Sequence, residues 1–412
     1  MSDGFSSRWI NWPSQVQFDR LGLPEGFRSA ACAAGIKPSG KTDLALIVSD
    51  SPQTTSALKQ TRSSTAAAPV LVNREQVDSA TIRCAVINSG NANAATGEDG
   101  YEDALRMRDA AAAATGVPAE SVSVFSTGVI GQRLDVGKIE AALPGLAEQL
   151  SADAHEVLSE AILTTDNAAK RLSVTIELPS GSVRVAAQAK GAGMMRPAFA
   201  TMLCYVETDA EMSSDTCDLL LGTVVKRSFE RISVDGQMST NDAVLMMASG
   251  ASGVSIEPQT EDEAVFGQAL DVILRALALM IVADGEGAAR VGRLVVEGGE
   301  DQTVEHVART VAGSPLVKAA LHGGDPNWGR IVQAVGMALP DSARLPLDIE
   351  IEGVTVCSAG AAAPYDEDAL AKAVSGPEVE YLVRIPGSGS ACEVFFSDLS
   401  HEYVTINSEY TT

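Results

Sequence analysis

Aromatic residues are scarce in this chain of 412 residues, at 4% of the sequence, and no conventional metal or redox motif is present. The six cysteines are scattered with no C-x-x-C pair, and the four histidines are dispersed as well. Structural metal sites bring cysteines and histidines together at short spacings, so we expect no metal site. Unpaired, reduced cysteines are typical of a cytoplasmic protein, and we predict that location.

Basic residues are also few, with 30 Lys and Arg against 54 Asp and Glu, which gives a formal net charge of −24. Such a surface repels phosphate backbones, so nucleic acid is excluded as a partner. Residues 1–21 lack the basic start and apolar core of a signal peptide. Apolar runs fall short of the roughly 18 residues of a membrane span, so no membrane segment is expected.

Short apolar runs bounded by turn residues alternate with helical stretches, a pattern typical of an α/β protein. Predicted strands include residues 44–48, 82–87, 122–125, 172–178, 183–187, 292–297, 347–356, 381–385 and 392–396. Predicted helices include residues 102–114, 136–163, 213–230, 263–281, 315–322 and 364–373. Because a layer of strands and helices restarts near residue 287, we divide the chain into a main catalytic domain, 1–287, and a C-terminal domain, 288–412.

Residues 35–42, GIKPSGKT, match the phosphate-loop pattern G-x-x-x-x-G-K-[ST] letter for letter. That pattern binds phosphate only when a helix follows it, because the N–H groups at the helix start hold the anion. Here the following residues, DLALIVSDSP, form a short apolar run that ends in turn residues. We therefore predict a turn between two strands and no nucleotide site.

The most informative stretch is KGAGMMRPAFATML, residues 190–203. Gly191 and Gly193 allow a tight turn before Thr201, which opens an apolar run. A threonine is a weak nucleophile unless a base lies beside it, and an N-terminal threonine has its own α-amine as that base. The α-amine has a pKa of about 7.7–8 in model peptides, which suits a base at neutral pH. Spacing alone favours a simple glycine turn that leads into a strand.

The same stretch resembles the cleavage junction of the ornithine acetyltransferase family, the bifunctional glutamate N-acetyltransferases of arginine biosynthesis. The similarity extends in order across nearly the whole chain, through AAGIKPSGKTDLALIVSD, AAPVLVNRE, AVINSGNANAATG, FSTGVIG, TTD, ISVDGQMSTND, DGEGA, GGDPNWGR and INSEYTT. The resemblance implies self-cleavage between Ala200 and Thr201, giving mature chains 1–200 and 201–412. Thr201 is then the nucleophile that takes an acetyl group from N-acetylornithine and passes it to glutamate.

The resemblance also implies the other site residues. Thr127 and Gly128 correspond to the family's oxyanion-stabilising pair, whose donors are worth roughly 2.7–4 kcal/mol each in other enzymes. Substrate contacts map to Thr164, Lys190, Thr201, Glu286, Asn407 and Thr412, and the choice between Thr164 and Thr165 stays open. Lys190 suits a substrate carboxylate and Glu286 suits an ammonium group.

The family fold implies an α/β sandwich of two β layers between helical layers, with a smaller C-terminal α/β domain. It further implies a heterotetramer of two cleaved chains each, with no metal and no organic cofactor, because the covalent threonine carries the acetyl group. Whether acetyl-CoA is accepted as a second donor is left open. We interpret residues 88–97 and 323–330 as loops, with Asp325, Trp328 and Arg330 in a buried structural cluster.

Several positions depart from the common family pattern, among them Arg196, Ala198, Phe199, Gln237 and Met238. None removes a proposed catalytic group, but they bear on which donor and acceptor fit. One alternative is therefore a paralogue with altered acyl donor or acceptor in specialised metabolism. A second is an amidase or aminopeptidase of the same nucleophile type. A non-catalytic relative would be expected to lack Thr201, Thr127 or Gly128, and all three are present.

Overall fold

The computed structural model describes residues 5–20, 22–194, 202–340, 345–387 and 389–409. The first part of the chain alternates short strands with helices. Its elements are β1 (Val16–Phe18), β2 (Phe27–Cys32), β3 (Leu44–Ser49), β4 (Thr55–Gln60), α1 (Ala68–Gln76), β5 (Cys84–Asn91), α2 (Gly97–Thr115), β6 (Val122–Val129), α3 (Val136–Ala147), α4 (His155–Ala161), β7 (Lys170–Leu178) and β8 (Gly181–Lys190).

The second part of the chain also combines strands and helices. Its elements are β9 (Leu203–Thr208), α5 (Ser214–Arg227), β10 (Ile232–Ser233), β11 (Ala243–Ala248), α6 (Glu261–Ala283), β12 (Val291–Glu297), α7 (Asp301–Ala312), α8 (Pro315–Gly323), α9 (Trp328–Ala338), β13 (Asp348–Ile351), β14 (Val354–Ser358), β15 (Ala361–Ala362), α10 (Glu367–Ala373), β16 (Glu378–Arg384), β17 (Ala391–Ser397) and α11 (His401–Glu409).

Two sheets form the centre of the main body. One has the strand order β1-β7-β8-β9-β11-β4, and the other has the order β2-β3-β5-β6. Their facing side chains share one core, which includes Ile47, Ile87 and Phe125 from the smaller sheet and Tyr205 and Leu245 from the larger one. Strands with both faces buried read as continuous apolar runs, which is why the sequence predicted them.

Helices cover the outer faces of both sheets. Helices α5 and α6 pack on the larger sheet, and α1, α2 and α3 pack on the smaller one. Helix α6 is capped by Thr260, whose side chain accepts a hydrogen bond from the Glu263 N–H, and it carries three acidic residues in its first turn. These features satisfy the free N–H groups and the positive end of the helix dipole. The predicted sandwich of two β layers between helical layers is confirmed.

Helix α6 contradicts the expectation that every apolar run is too short to span a membrane. An 18-residue window of this 23-residue helix reaches a mean hydropathy of 1.9, so by length and composition the helix could cross a membrane, contrary to our expectation from the sequence. Within the fold, 67% of its apolar window is buried. Residues such as Leu270, Ile273 and Leu277 lie fully buried in the core that the larger sheet shares with α5. The run is therefore the apolar core helix of the sandwich.

A third sheet, with the order β10-β17-β12-β16-β13-β14-β15, collects the described strands after residue 290 together with β10. Helices α7, α8 and α9 contribute Val307, Leu321 and Val335 to its separate core. The division at residue 287 stays a prediction, because β10 belongs to the earlier part of the chain and pairs in parallel with β17.

Two local predictions were wrong. The helical stretch 136–163 is two helices, because residues 148–154 leave the helix and Ser151 forms an isolated β-bridge with Ser29. Residues 323–330 are not a buried cluster: Asp325 is exposed, and Trp328 begins α9. The Asn327 side chain caps that helix by accepting the Arg330 N–H. Neither the bridge nor the cap produces a hydrophobic pattern that a sequence reading can detect.

The phosphate-loop match is a turn between strands, as predicted. Strands β2 and β3 pair in antiparallel register on either side of it. The Asp43 carboxylate accepts the backbone N–H groups of Ala34, Ile36 and Lys37 at 2.7, 2.6 and 2.8 Å. Because these N–H groups already hold a carboxylate, they are not available to a phosphate.

Candidate active site

A pocket of about 140 Å³ opens where the ends of β6 and β8 meet the loop between β10 and β11. Six of the residues predicted from the sequence line it: Thr127, Gly128, Thr164, Lys190, Glu286 and Asn407. They come from five separate parts of the chain, since Lys190 ends β8, Glu286 follows α6 and Asn407 lies on α11. The tertiary fold therefore places residues up to 280 positions apart in sequence around one small space.

Lys190 is a buried basic residue that lines this pocket. Its side chain is buried, and Nζ donates to Thr164 Oγ1 at 2.7 Å and to Thr127 Oγ1 at 3.2 Å. Burial lowers the pKa of Lys190, and the carboxylate of Asp166 opposes that shift. Because an ammonium only donates, both threonine oxygens act as acceptors toward it, and each hydroxyl proton is left to point elsewhere.

Asp166 holds Thr164 and the backbone next to Lys190 in place, although the sequence analysis gave it no role. It accepts Lys170 Nζ and the Gly191 N–H on Oδ1, each at 2.6 Å, and the Thr164 N–H on Oδ2 at 3.1 Å. Burial alone raises its pKa, but the charges of Lys170 and Lys190 outweigh burial and hold the pKa of Asp166 well below its usual range. The ionised carboxylate thus fixes both Thr164 and the backbone that follows Lys190.

Glu286 and Asn407 also line the pocket and contact each other. Glu286 is buried, its N–H donates to Ala192 O at 3.0 Å, and its carboxylate accepts Asn407 Nδ2 at 2.7 Å. A Cβ atom at Gly193 would lie 2.6 Å from that carboxylate, so a larger residue there would displace the Glu286 carboxylate. The contact with Glu286 anchors α11, whose described side chains are otherwise not buried.

Gly128 lies against the backbone of the neighbouring strand. Its φ of +134° is in the region that favours glycine, and a Cβ atom there would lie 2.3 Å from the carbonyl carbon of Gly90. The pairing of β5 and β6 shifts register at Gly90 and Asn91, which brings the two backbones together. The asparagine-rich segment that begins at residue 88 therefore supports Gly128 directly.

Gly128→Ala is expected to lower the free energy of unfolding by roughly 2–4 kcal/mol, because it combines an unfavourable φ with a backbone clash. Urea unfolding of the variant checks this value. Gly145→Ala is the matched control, because Gly145 is exposed within α3 with no atom within 4 Å of an added Cβ. The control should gain roughly 0.5–1 kcal/mol. Equal changes in both variants would contradict the proposed close contact.

Three predicted site residues, Ala200, Thr201 and Thr412, lie outside the described residues. The residues that border the interval 195–201, Met194 and Met202, are described, and Met194 lines the pocket. The sequence left open whether Thr164 or Thr165 contacts the substrate. Thr164 contacts Lys190 and lines the pocket, whereas Thr165 lines the pocket without that contact. The roles assigned to all these residues stay predictions.

Sequence reasoning missed several residues that line the pocket, including Asp235, Asn241 and Tyr403. Asp235 accepts the backbone N–H groups of Met194 and Gln237. The segment ISVDGQMSTND was noted for its resemblance to the family, which was the one available signal, but no side chain in it received a role.

A second and larger cleft of about 1240 Å³ shares Thr164 with the pocket. Part of its charged lining is internally paired, since Lys170 Nζ contacts Asp166 and Asp284 at 2.6 Å each, and Arg171 contacts Glu156 at 2.9 Å. The smaller pocket combines buried charges of both signs with Gly128, whose backbone position requires glycine, so we take it as the candidate active site.

Comparison with known proteins identifies the family. The ArgJ family model matches residues 28–412. The arginine biosynthesis bifunctional protein ArgJ of Nitratidesulfovibrio vulgaris is 41% identical over 390 residues, covering 94% of this chain and 98% of that protein. The chain belongs to the ArgJ family. The protein of the same name from Rhodopirellula baltica is 41% identical over 396 residues, covering 95% of this chain and 96% of that protein.

Membership of the ArgJ family confirms the resemblance described above. It also confirms that the chain is an enzyme, an acetyltransferase of arginine biosynthesis. Two solved structures are similar as well. A Bacillus halodurans ArgJ structure is 32% identical with a TM-score of 0.47, covering 49% of this chain and 96% of that chain. Ornithine acetyltransferase from Mycobacterium tuberculosis, complexed with ornithine, is 36% identical with a TM-score of 0.41, covering 44% and 98%.

Proposed function

We propose that this ArgJ-family enzyme transfers an acetyl group from N-acetylornithine to glutamate through an acetyl ester on Thr201. The observation that carries the proposal is the pocket itself, where buried Lys190 and buried Glu286 present opposite charges to one small space. An amino acid substrate carries a carboxylate and an ammonium group, which these two side chains can pair. The family relatives, which are named for arginine biosynthesis, support the same substrate class.

The chemistry requires a free amino group on Thr201. Cleavage between Ala200 and Thr201 supplies it, and the α-amine then accepts the proton of the threonine hydroxyl as Oγ attacks the acetyl carbon. The C–N bond of N-acetylornithine breaks, ornithine leaves with that proton on its nitrogen, and the acetyl group remains on Oγ. The amine of glutamate attacks the ester next, and the hydroxyl of Thr201 is restored.

Each half-reaction passes through an oxyanion, and the proposal assigns Thr127 and Gly128 to stabilise it. The contact from Lys190 Nζ to Thr127 Oγ1 supports the assignment, because it leaves the hydroxyl proton of Thr127 free to be donated. A fixed donor of this kind needs no reorganisation during the reaction.

After cleavage the two chains, 1–200 and 201–412, are proposed to stay together. Strands β8 and β9 lie on either side of the cut and pair antiparallel as neighbours in one sheet, with Lys190 opposite Leu203. Separating the chains would expose the sheet core, which is costly. We further propose that two such pairs assemble as a heterotetramer, that the enzyme needs no cofactor and that it acts in the cytoplasm.

One observation supports a different acyl donor or acceptor as a second candidate. Gln237, one of the positions that depart from the common family pattern, lines the pocket. A changed acyl donor or acceptor is therefore the second candidate, and acetyl-CoA is one donor to include. An amidase would transfer the acetyl group to water, so consumption of N-acetylornithine that does not depend on glutamate would identify it.

Intact mass measured under denaturing conditions tests the proposal first. The purified protein should give two fragments that split between residues 200 and 201, and Thr201→Ala should give a single chain of 42.7 kDa with no transfer activity. Thr223→Ala is the control, because Thr223 is an exposed residue on α5 that bonds only within its helix. An uncut wild-type chain with full activity would overturn the mechanism.

A further inference from the structure

Strand β6, which carries Thr127 and Gly128, lies at the edge of its sheet. Among the strands that the structure describes, β5 is its one neighbour. The backbone N–H and C=O groups along the other side of β6 therefore have no described strand to pair with. Buried backbone groups need hydrogen-bond partners, because leaving them unpaired is costly. Other parts of the fold have to supply these partners.

Two buried asparagine side chains do so. Asn73 Nδ2 donates to Val124 O at 2.8 Å, and Asn73 Oδ1 accepts the Val124 N–H at 2.9 Å. Two residues further along the strand, Asn241 Nδ2 donates to Ser126 O at 2.9 Å. The two amides thus bond alternate residues on one edge of β6, as a neighbouring strand would.

Gly128 is the next residue at the same spacing. The backbone groups of every second residue in a strand point to the same edge, so the Gly128 N–H continues the series from Val124 and Ser126. The first two positions each bond an asparagine amide. At the third position the candidate active-site pocket opens, lined by Thr127, Gly128 and Asn241. The edge that the asparagines hold therefore ends in the N–H group that the proposed function assigns to the oxyanion.

Asn241 also joins β6 to the end of β5. The second proton on its Nδ2 is donated to the carbonyl oxygen of Ala92, the residue after β5, at 2.7 Å. Its Oδ1 accepts the Thr240 hydroxyl at 2.5 Å, and its backbone N–H donates to Ser239 Oγ at 3.1 Å. A primary amide has two N–H protons, and here both bond backbone carbonyls. Asn241 therefore acts through the backbone that it holds, although it lines the pocket.

We propose that Asn241 is a positioning residue for the oxyanion step, because its amide sets how the end of β6 presents the Thr127 hydroxyl and the Gly128 N–H to the pocket. This inference rests on the proposed function, which assigns those two donors. A donor stabilises an oxyanion only when it lies about 3 Å from it, and a displacement of about 1 Å can cost roughly 100-fold in rate. Because the oxyanion exists only during the reaction, a misplaced donor lowers kcat with little change in KM.

Asn241→Asp tests the inference, because the carboxyl group keeps the size of the amide and replaces the N–H donors with oxygen. That oxygen repels the carbonyl oxygens of Ala92 and Ser126 and should move the end of β6. We expect kcat for acetyl transfer from N-acetylornithine to glutamate to fall by about 10- to 100-fold, with KM for N-acetylornithine nearly unchanged. Steady-state kinetics measures both constants, with the enzyme concentration corrected for the cleaved fraction found by intact mass.

Asn73→Asp is the matched control. Asn73 is also buried and bonds the same edge of β6, but it does so at Val124 and is not among the described residues that line the pocket. Its replacement should lower Tm, as Asn241→Asp does, and leave kcat near the wild-type value. Equal losses of kcat in the two variants would overturn the inference. A wild-type enzyme without transfer activity would overturn the proposed function instead.

A second measurement follows the Gly128 N–H itself and depends neither on cleavage nor on turnover. Protein labelled with carbon-13 at the threonine carbonyls and nitrogen-15 at glycine gives NMR signals that select Thr-Gly pairs, which in this sequence are residues 96–97, 115–116 and 127–128. The Gly128 signal should move in Asn241→Asp and much less in Asn73→Asp, and the other two signals serve as references. A Gly128 signal that stays in place in Asn241→Asp would overturn the inference.

If Asn241→Asp fails to fold, Asn241→Ala and Asn73→Ala provide the same comparison. Alanine removes the donors at each position without placing a carboxyl group beside backbone carbonyls. Here too kcat should fall in the Asn241 variant and stay near the wild-type value in the Asn73 variant. Equal kcat values for the two alanine variants would overturn the inference.

Discussion

Lys190→Met is expected to reduce kcat/KM for N-acetylornithine by roughly 30- to 1000-fold, since removing one member of a buried charge pair with a substrate costs about 2–4 kcal/mol. KM should rise, because the substrate carboxylate loses its ionic partner. The loss of activity should also appear in kcat, because Nζ lies 3.2 Å from Thr127 Oγ1 and orients that hydroxyl. Steady-state kinetics with glutamate as acceptor measures both constants.

Lys170→Met is the matched control for this prediction. Lys170 is equally buried and contacts Asp166 and Asp284 at 2.6 Å each, but it is not among the residues that line the small pocket. Its replacement should destabilise the fold more than it changes KM. If Lys190→Met and Lys170→Met give the same KM, Lys190 does not bind the substrate.

Glu207→Gln is expected to stabilise the protein progressively as pH rises from about 5 to 8. Glu207 is fully buried between the sheets, where burial raises its pKa to about 8, against the opposing hydrogen bonds from Gln188. The unfolded chain ionises this carboxyl group near pH 4.5, whereas the folded chain resists ionisation up to pH 8. The wild type therefore loses stability across that window, by at most about 1.4 kcal/mol per pH unit, and the neutral amide does not.

The difference between variant and wild type isolates this effect from that of His155. Burial lowers the pKa of His155 to about 4, so this histidine makes both proteins gain stability as pH rises from about 4 to 6.5. Urea unfolding at several pH values measures the difference, and exposed Glu211→Gln serves as the control. Stability curves that stay parallel from pH 5 to 8 would show that Glu207 ionises in the fold without cost.

The strands and most helices could be predicted because burial leaves a local mark on the sequence. The apolar run of β3 and the turn residues around it show a strand whatever it pairs with. The break between α3 and α4 could not be predicted, since it depends on Ser151 pairing with Ser29, more than 100 residues away. Tertiary contacts override local propensity at such points.

For the candidate site, the sequence alone determined the chemical groups. Through the family resemblance, the sequence predicts Thr127 and Gly128 as an oxyanion segment, Lys190 and Glu286 as substrate contacts and Thr201 as the nucleophile. Only the tertiary structure decided which carboxyl group holds them in place. Asp166 looks like an ordinary polar residue in sequence, because its ionisation and bonding depend on burial and on the Gly191 N–H, which the end of β8 brings within 3 Å.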